Sequence, residues 1–388
     1  MPKHLRVLIV SLNTYSSPSN DGKLAELGSR LENLAAVAGD LSTLWGKNNS
    51  ARSGYGYQVH VLPARFSWRN ATAQLVGLHE IAQGANPSII HVECEPWQMV
   101  AWQSVRLARR LGVPVGIQFA ENGPNLHGSS GGLRRLVARN LLEQCAYAIG
   151  WSAESTAVAR ELVPTIRTET LPGTGVPTPW LRCPRSQSRS DVWFGSGSAS
   201  VAKVAFVGRF SPEKGLRDFL AICDSLAGRI PVRVAIAGGE TADPELDAWL
   251  RARPWATTHG VLQRAEVGEL LMAADALVAP SRTTSFAKEQ FGKSSAEAMA
   301  LGTPVFAYDC GALREVIGDG GHIVEEGSVA GLAAALERYL VTRLDPVASE
   351  FSARARARAR IYADEALAER LIGLWTSLLR ETERNERS

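Results

Sequence analysis

Short apolar runs rich in β-branched residues recur along the whole chain, and segments with helical spacing lie between them. In the first half the runs are residues 5–11, 58–62, 89–93, 113–120, 146–151 and 168–172. In the second half they are residues 202–208, 232–237, 274–280, 303–308 and 322–324. Strands that alternate with helices in this way form parallel sheets covered by helices. The predicted fold class is therefore α/β, with two Rossmann-like doubly wound parallel sheets.

Polar residues interrupt this alternation once. Residues 184–200 are rich in Ser, Gly and Arg and show little apolar periodicity, which is typical of a linker. A chain of 388 residues is also longer than one hydrophobic core usually supports. We therefore predict an N-terminal domain over 1–180, a linker over 181–200, a second domain over 201–350 and C-terminal helices over 351–388. Because ligands bind outside the carboxyl ends of parallel strands, we expect the site in a cleft between the two sheets.

The last part of the chain is predicted to be helical, because large apolar side chains recur at 3.6-residue spacing. These side chains are Leu367, Leu371, Leu374, Trp375 and Leu378. The arginines before them spread over two sides of a helix, and we interpret them as solvated. They are Arg354, Arg356, Arg358 and Arg360. Residues 46–57 are interpreted as a surface loop.

The composition excludes several classes of protein. The net charge is only +3, which gives no general electrostatic basis for nucleic-acid binding. The five cysteines are scattered and lack C-x-x-C spacing, which disfavours a disulfide framework or a zinc site and favours a reducing cytoplasm. No run of apolar residues is long enough to span a membrane, and residues 5–10 are too short for the apolar core of a signal peptide. We expect a cytoplasmic protein.

Two carboxylates, Glu289 and Glu297, lie at the start of a helical segment. Each could accept hydrogen bonds from one hydroxyl-rich end of a nucleotide sugar, its hexose or its ribose. The N–H groups of Phe291 and Gly292 at the helix N-terminus suit the diphosphate between those ends. Such a pair alone is more often solvated or ion-paired surface, so the spacing indicates a site only together with other motifs.

Arg209 and Lys214 lie five residues apart on the loop that leaves a predicted strand. Both could reach one diphosphate, because Gly208 and Gly215 allow the backbone a close approach. The alternatives are a loop ion pair with Glu213 and ordinary solvated charge. No D-x-D or H-E-x-x-H cluster occurs in the sequence, so these cations would have to neutralise a leaving diphosphate, and we expect neither a metal nor another cofactor.

Four motifs of the second half follow one another in a recognisable order. They are FVGRFSPEKG at 206–215, AGG at 237–239, VAPS at 278–281 and the stretch 289–304. This set resembles the donor half of the retaining GT-B glycosyltransferases of family 4, and the resemblance covers roughly 204–326. Residues 351–379 resemble the terminal helices that cross back to the first domain in that family. The first half is similar more weakly, at 21–24, 89–97 and 171–176.

The resemblance implies that the first domain binds the acceptor and the second binds the nucleotide sugar. It implies a sugar contact for Glu289 and a ribose contact for Glu297, with Arg209 and Lys214 at the diphosphate as catalytic groups alongside Glu289. Further donor contacts are implied at Gly22, Gly208, Gly238, Gly239, Val261, Leu262, Gln290, Phe291 and Gly292. In this set Val261 and Leu262 would hold the edge of the base.

Some of these motifs also have a plainer interpretation. The glycines at 238–239 and the pair at 280–281 are typical of turns where a strand ends. Gly22 could follow an ordinary helix N-cap at Asn20 or Asp21. Family members often carry two adjacent glycines at that loop, and this chain has one.

The loop after the fourth predicted strand departs from the family, in which a histidine often lies near the sugar. This chain has Glu121 and Asn122 there, and both become candidates for acceptor or sugar contacts. His127 follows several residues later and is interpreted as a surface residue. Glu93 and Glu95 end another predicted strand and are further acceptor candidates, with a capped helix start as the alternative.

The predicted activity is transfer of a hexose, with retention, from a nucleotide sugar to a hydroxyl of a glycan, lipid-linked or small-molecule acceptor. UDP is the commonest nucleotide in the family, and GDP and ADP stay open. Such an enzyme suits polysaccharide biosynthesis. The alternatives are a sugar-nucleotide 2-epimerase of the same fold and a non-catalytic sugar-nucleotide-binding partner.

Two basic clusters bear on the location of the protein. Arg134, Arg135 and Arg139 lie among leucines in a predicted amphipathic helix, and the second cluster comprises Arg106, Arg109 and Arg110. Both suit anionic lipid head groups and hence a peripheral contact at the inner face of the membrane. The alternative is a solvated helix face.

Overall fold

The computed structural model describes residues 5–16, 20–40, 51–66, 71–123, 126, 131–184, 190–195, 200–239 and 244–387. The chain forms two compact units. Unit 1 comprises Met1–Gly175 and Asp364–Ser388, and unit 2 comprises Val176–Ala363. The predicted linker and the first part of the predicted C-terminal segment are therefore grouped with unit 2.

Strands and helices alternate through both units. The strands are β1 (Arg6–Ser11), β2 (Asn33–Asp40), β3 (Arg52–Gly54), β4 (Tyr57–Arg65), β5 (Gln74–Leu75), β6 (Ile89–Glu93), β7 (Val115–Phe119), β8 (Tyr147–Gly150), β9 (Arg167–Thr170), β10 (Ala202–Val207), β11 (Val232–Ala237), β12 (Ala256–Thr258), β13 (Ala276–Ala279), β14 (Val305–Tyr308) and β15 (Gly321–Val324). The helices are α1 (Gly22–Gly28), α2 (Leu78–Ala85), α3 (Met99–Leu111), α4 (Gly131–Leu142), α5 (Ala153–Leu162), α6 (Ser190–Phe194), α7 (Leu216–Ala227), α8 (Pro244–Arg251), α9 (Arg264–Ala273), α10 (Lys293–Ala300), α11 (Leu313–Ile317), α12 (Val329–Val341), α13 (Pro346–Ala359) and α14 (Asp364–Arg387).

Unit 1 is built on one sheet with the strand order β3-β4-β2-β1-β6-β7-β8-β9, and β5 pairs with β4. The strands are parallel except that β3 and β5 run antiparallel to β4. The chain first winds from β1 to β2 and β4 and then resumes at β6, so the topological switch lies between β1 and β6. Strands β6, β7 and β8 are fully buried, which explains their continuous apolar runs. The predicted doubly wound α/β class is confirmed.

Strand β2 lies outside the predicted runs, although it occupies the middle of the sheet. Its sequence is NLAAVAGD, in which alanine and glycine lower the intrinsic β propensity. Pairing with β1 on one side and β4 on the other nevertheless buries residues 34–39. The predicted surface loop is also wrong in part, because Arg52–Gly54 forms β3 against β4. Residues 46–50 of that loop lie outside the described residues.

Unit 2 is built on a parallel sheet with the order β12-β11-β10-β13-β14-β15. The chain winds from β10 to β11 and β12 and returns at β13, so the switch lies between β10 and β13. Within the predicted linker, Ser190–Phe194 forms α6, and Trp193 and Phe194 are buried. The side chains of Thr257 and His259 both hydrogen-bond to the carbonyl of Trp193. The sequence pattern did not indicate this buried segment, because Ser, Gly and Arg surround Trp193 and Phe194.

The two last helices belong to different units. Helix α13 stays in unit 2, where Arg356 and Arg358 donate hydrogen bonds to backbone carbonyls of that unit. The solvated interpretation is therefore wrong for these two arginines, whereas Arg354 and Arg360 are exposed. The reason is that helix C-termini and loops of unit 2 present carbonyl groups that need donors.

Helix α14 packs on unit 1 through the predicted apolar face. Leu367, Leu371, Leu374 and Trp375 are buried there, which confirms the face. Trp375 Nε1 also donates to the hydroxyl of Tyr147 at 2.7 Å, so the helix is tied to strand β8.

Candidate active site

The candidate site of unit 2 lies where the chain leaves β10 and β13, the two strands at the switch. Lys214 lies on the turn after β10, and its Nζ donates to Glu289 Oε2 at 2.6 Å. Ser281 follows β13 and donates from Oγ to the same oxygen at 2.9 Å. The N–H of Gly292 donates to Glu289 Oε1 at 3.1 Å. The fold thus brings together Lys214 and Glu289, two of the predicted catalytic residues, and adds Ser281, which the sequence pattern indicated only as part of a turn.

These donors control the charge of Glu289. Burial by itself would raise the pKa of this carboxyl. The ammonium of Lys214 and the hydrogen bonds from Ser281 and Gly292 outweigh burial and hold the pKa below its ordinary value. The result is an ionised carboxylate, fixed in place, with a cation beside it. Such a group can accept hydrogen bonds from hydroxyls while the cation faces an anion.

Close backbone approaches shape the same edge of the sheet. Gly215 has φ +69°, and a Cβ there would lie 1.8 Å from the carbonyl oxygen of Pro280. Gly238 has φ +125°, and a Cβ there would lie 1.8 Å from the carbonyl oxygen of Gly208. Only glycine fits such positions without strain. These glycines therefore allow the loops that follow neighbouring strands to pack closely. The nucleotide contacts of Gly208, Gly238 and Gly239 stay a prediction.

Arg209 lies outside this cluster. Its side chain is 68% exposed, and Nη2 pairs with Glu213 Oε1 at 3.0 Å. This is the loop ion pair that was the alternative to a diphosphate contact. An exposed pair contributes little to stability, so exchanging Glu213 for a phosphate would cost little.

Glu297 has a partner that the sequence did not indicate. Its Oε1 accepts a hydrogen bond from Arg264 Nε at 3.0 Å, and the side chains are 6% and 14% exposed. Arg264 is the first residue of α9, and its guanidinium lies over the ring of Trp180 at 5.7 Å. The same ring packs against Gly268 one turn further along α9. Arg264 and Trp180 therefore hold the carboxylate of Glu297 in one position.

The remaining predicted donor residues surround this arrangement. Val261 is exposed and Leu262 is partly buried just before α9, close in sequence to Arg264. Phe291 is buried and meets the ring of Tyr362 edge-on. The N–H of Gly292 was predicted to be available for a diphosphate. In the structure it is already engaged, because it donates a hydrogen bond to Glu289.

Gln290 is partly buried beside these residues. In the described part of the chain, no three His, Cys, Asp or Glu side chains are arranged to hold a metal ion.

In unit 1, Glu93 lies at the end of β6 beside the switch and forms a buried ion pair. Lys23 Nζ donates to Glu93 Oε1 at 2.6 Å and to the carbonyl of Gly173 at 2.6 Å. The hydroxyl of Tyr15 donates to the same carboxylate oxygen at 3.0 Å. Burial would raise the pKa of Glu93, but Lys23 and His91 lower it to about 2. The sequence around Lys23, which follows Gly22 at the start of a helix, did not indicate that it pairs with Glu93.

Glu95 links the ends of two neighbouring strands. Its carboxyl oxygens accept hydrogen bonds from the N–H groups of Ala120 at 3.2 Å and Glu121 at 3.3 Å, just after β7. Burial and then the nearby charge of Glu121 raise the pKa of Glu95 to about 8. The side chain of Asn122 donates to Glu154 at 3.2 Å. The fold thus gathers three acceptor candidates in one place, and His127 lies outside the described residues.

The alternative of a capped helix start does not hold for Glu93 or Glu95, because Gln98 is the N-cap residue of α3. Gly22 begins α1, but the side chain of Asp21 makes no cap hydrogen bond and instead binds Arg52. A Cβ on Gly22 would lie 2.0 Å from Oδ2 of Asp364, the first residue of α14. A side chain at position 22 would therefore require the Asp364 carboxylate to move.

Comparison with known proteins bears on the second unit. Residues 202–341 match the family described as Glycosyl transferases group 1. This part of unit 2 is therefore similar to a group 1 glycosyltransferase domain. The matched residues run from β10 to the end of α12 and include Lys214, Ser281, Glu289, Arg264 and Glu297.

Curated relatives extend the comparison. The chain is 37% identical over 169 residues to a protein named Glycogen synthase from Mycobacterium tuberculosis (strain CDC 1551 / Oshkosh), covering 42% of this chain and 39% of the relative. The chain thus spans about two fifths of that relative's length. It is 28% identical over 289 residues to the GDP-mannose-dependent alpha-mannosyltransferase of the same organism, covering 70% of both.

Solved structures extend the likeness to the whole fold. The crystal structure of Anabaena Alr3699/HepE in complex with UDP has a TM-score of 0.72 and 18% identity, covering 96% of this chain and 100% of that one. The predicted GT-B fold, with two Rossmann-like parallel-sheet domains, is confirmed.

Proposed function

We propose that the protein is a retaining, metal-independent glycosyltransferase of family 4 that moves a hexose from a nucleotide sugar to an acceptor hydroxyl. The observation that carries this proposal is the Lys214–Glu289–Ser281 cluster at the switch of the group 1 domain. It combines a hydroxyl-binding carboxylate with a cation, at the edge where open parallel sheets bind ligands. None of the relatives described above is an epimerase.

In the proposed reaction the bond between the anomeric carbon and the departing phosphate oxygen breaks. A bond from the acceptor oxygen forms on the same face, and the acceptor proton passes to the departing phosphate. The transition state gains positive charge on the sugar and negative charge on the diphosphate. Lys214, and Arg209 once released from Glu213, would stabilise the diphosphate in place of a metal, while Glu289 orients the sugar hydroxyls.

The donor is proposed to be a UDP-sugar. The Anabaena structure in complex with UDP supports this choice, whereas the name of the mannosyltransferase relative supports a GDP-sugar as the next candidate. Glu297 is proposed to bind the ribose and the 261–262 segment the base. The proposal also keeps the other predicted contacts with the nucleotide sugar. These are the N–H of Phe291 and contacts at Gly22, Gly208, Gly238, Gly239 and Gln290.

The acceptor is proposed to be a glycan, a lipid-linked sugar or a small molecule, contacted by the carboxyl-edge residues of unit 1. These are Glu93, Glu95, Glu121 and Asn122. A role in polysaccharide biosynthesis is proposed from the similarity to a protein named Glycogen synthase.

The proposed location is the cytoplasm, with peripheral contact at the inner membrane face. Among the described residues, no helix has both the length and the apolar character needed to cross a bilayer. On α4, Leu133 and Leu136 are exposed, which supports a peripheral contact. Arg135 and Arg139 pair with Glu161 and Glu143, which reduces the charge that α4 offers to lipid head groups.

A thermal-shift screen tests the identity of the donor. It uses four sugar nucleotides, UDP-glucose, GDP-glucose, ADP-glucose and GDP-mannose. Because a ligand that binds only the folded state raises apparent stability by mass action, we expect UDP-glucose to give the largest rise in Tm. The same screen on Glu289→Gln should give a smaller rise with the same ligand. If none of the four sugar nucleotides shifts Tm at millimolar concentration, the proposed function is wrong.

Arg264 is expected to act as a positioning residue for the donor. Arg264→Met would leave the buried Glu297 carboxylate without this partner, so KM for the donor should rise about tenfold while kcat changes little, the pattern of lost uniform binding. Arg264→Lys should recover part of the loss, because it restores the charge. The control is Arg229→Met, which removes an exposed arginine paired with Glu337. Steady-state kinetics with varied donor measure both constants, and an unchanged KM in Arg264→Met would refute the role.

A further inference from the structure

A cavity of about 150 Å³ opens at the carboxyl edge of the unit 1 sheet, where β1, β6 and β7 end. Its lining includes Glu93, Glu95, Gln98, Gln118, Phe119 and Trp151. The lining contains two carboxylates and, within the described residues that form it, no lysine, arginine or histidine. The lining is therefore rich in hydrogen-bond acceptors, and the ammonium of Lys23, which does not line the cavity, is bound to Glu93 Oε1 at 2.6 Å.

Glu93 lines this cavity and has one buried carboxylate oxygen without a hydrogen-bond donor among the described residues. Its Oε1 is bound by Lys23 and Tyr15, but its Oε2 is buried and has no hydrogen-bond partner in the part of the chain that the structure describes. The Glu93 side chain is 1% exposed. A buried acceptor without a donor costs free energy, so a ligand that brings a donor to Oε2 gains from supplying it.

Glu95 presents a carboxyl group that lacks a counter-charge. Both of its oxygens accept backbone N–H groups, and no cationic side chain contacts it among the described residues. Burial and the neighbouring Glu121 raise its pKa to about 8, because the two backbone N–H groups do not outweigh these effects and no cation compensates the ionised form. A cation in the cavity would reverse this balance and return Glu95 to the carboxylate.

We propose that this cavity recognises a protonated amine on a polyol ring, with Glu93 Oε2 and Glu95 accepting its N–H groups and Trp151 and Phe119 packing against the ring. An ammonium group supplies three donors and one positive charge, whereas a hydroxyl supplies one donor and no charge. A divalent metal fits less well, because only two carboxylates line the cavity and metal sites of this kind use more oxygen ligands.

The inference rests on the proposed function in one respect, which is that the ligand is the acceptor. The amine would then serve as an anchor, and a hydroxyl of the same molecule would receive the sugar. The acceptor class is thereby narrowed to amino sugars and aminocyclitols.

Isothermal titration of the full-length protein with glucosamine, glucose and N-acetylglucosamine tests the inference. We expect glucosamine to bind about tenfold more tightly than glucose, the ratio expected from one charge-assisted hydrogen bond. N-acetylglucosamine should resemble glucose, because acetylation removes the charge. In Glu95→Gln the preference should fall to about threefold or less, since only Glu93 remains. The control Glu161→Gln removes an exposed carboxylate of the same unit and should keep the full preference.

Proton release gives a second readout. The ionisable groups that line the cavity or contact its two carboxylates are Tyr15, Lys23, His91, Glu93, Cys94, Glu95 and Glu121, and Glu95 has its pKa raised to about 8. At pH 7 the entry of a protonated amine should expel the proton of Glu95, so the measured binding enthalpy should vary with the ionisation enthalpy of the buffer. Glucose should show no such variation, and the proton release on glucosamine binding should disappear in Glu95→Gln.

Equal binding of glucosamine and glucose, or no binding of any of the three, would overturn the inference. So would an undiminished preference in Glu95→Gln. The thermal shift given by the sugar nucleotide is measured on the same samples and should be the same in Glu95→Gln. A preference for glucosamine without any sugar-nucleotide binding would support the amine site and contradict the proposed function. Sugar-nucleotide binding without a preference for glucosamine would contradict the amine site alone.

Discussion

Lys214→Met is expected to lower kcat about a hundredfold or more, the usual loss when one preorganised charge-stabilising donor is removed. The Nζ of Lys214 lies 2.6 Å from Glu289 Oε2, so the substitution removes the cation and also leaves a buried carboxylate without its counter-charge. Both changes act where negative charge would develop on the departing diphosphate. The measurement is the steady-state rate of nucleotide release from the sugar nucleotide that the thermal-shift screen selects.

The matched control is Arg217→Met, which removes a cation three residues further along the chain. Arg217 is 83% exposed and pairs with Glu245 on the surface, so its loss should leave kcat nearly unchanged. Arg209→Ala should act in the same direction as Lys214→Met, because both cations are proposed to meet the diphosphate. A folded Lys214→Met protein with a rate close to that of the wild type would remove diphosphate stabilisation by this residue from the mechanism.

Lys23→Met is expected to lower the free energy of unfolding of unit 1 by about 3–5 kcal/mol, the cost of breaking a buried ion pair on one side. Lys23 is 1% exposed, and its ammonium binds both Glu93 and the carbonyl of Gly173. Removing it leaves the ionised carboxylate of Glu93 in the core without a cation at 2.6 Å, with the Tyr15 hydroxyl at 3.0 Å and the His91 ring at 3.6 Å from the same oxygen. Urea unfolding of the wild type and the variant at pH 7, followed by tryptophan fluorescence, measures the loss.

The double variant Lys23→Met/Glu93→Leu provides the control, because it replaces both charges and should be less destabilised than Lys23→Met alone. The pH dependence has a defined sign. The pKa of Glu93 falls from an ordinary 4.5 to about 2 in the folded state, so its contribution is present above pH 4.5 and is lost as the pH falls towards 2. The wild type should lose more stability than the double variant across this window. A cost near zero for Lys23→Met would show that the ion pair is dispensable.

The alternation of apolar runs and helical segments was enough to predict two parallel sheets, and the ordered motifs led to the prediction of Lys214, Glu289 and Glu297 as site residues. These features are local. A strand that is buried on both faces needs a continuous apolar run, and a loop that approaches a neighbouring backbone closely needs a glycine such as Gly215. Strand β2 shows the limit, because its alanine-rich sequence becomes a strand only when β1 and β4 pair with it.

The partners of the site residues could not be predicted in the same way. Arg264 meets Glu297 across 33 residues, and Lys23 meets Glu93 across 70. Nothing near any of these residues in sequence distinguishes it from a surface charge. The partners follow from which strands are neighbours at each switch, and the chain order alone does not give that adjacency.

By itself, then, the sequence determined the α/β class, and it showed which types of residue are available at the end of each predicted strand. Tertiary structure decided which of those side chains meet, which of them are buried and which carboxyls are ionised. The physical reason is that burial and Coulomb interactions depend on distances through space, whereas propensity and periodicity depend only on neighbours along the chain. Glu93 and Glu95 lie two residues apart in sequence, yet the pKa of one is lowered to about 2 and the pKa of the other is raised to about 8, because only Glu93 has Lys23 beside it.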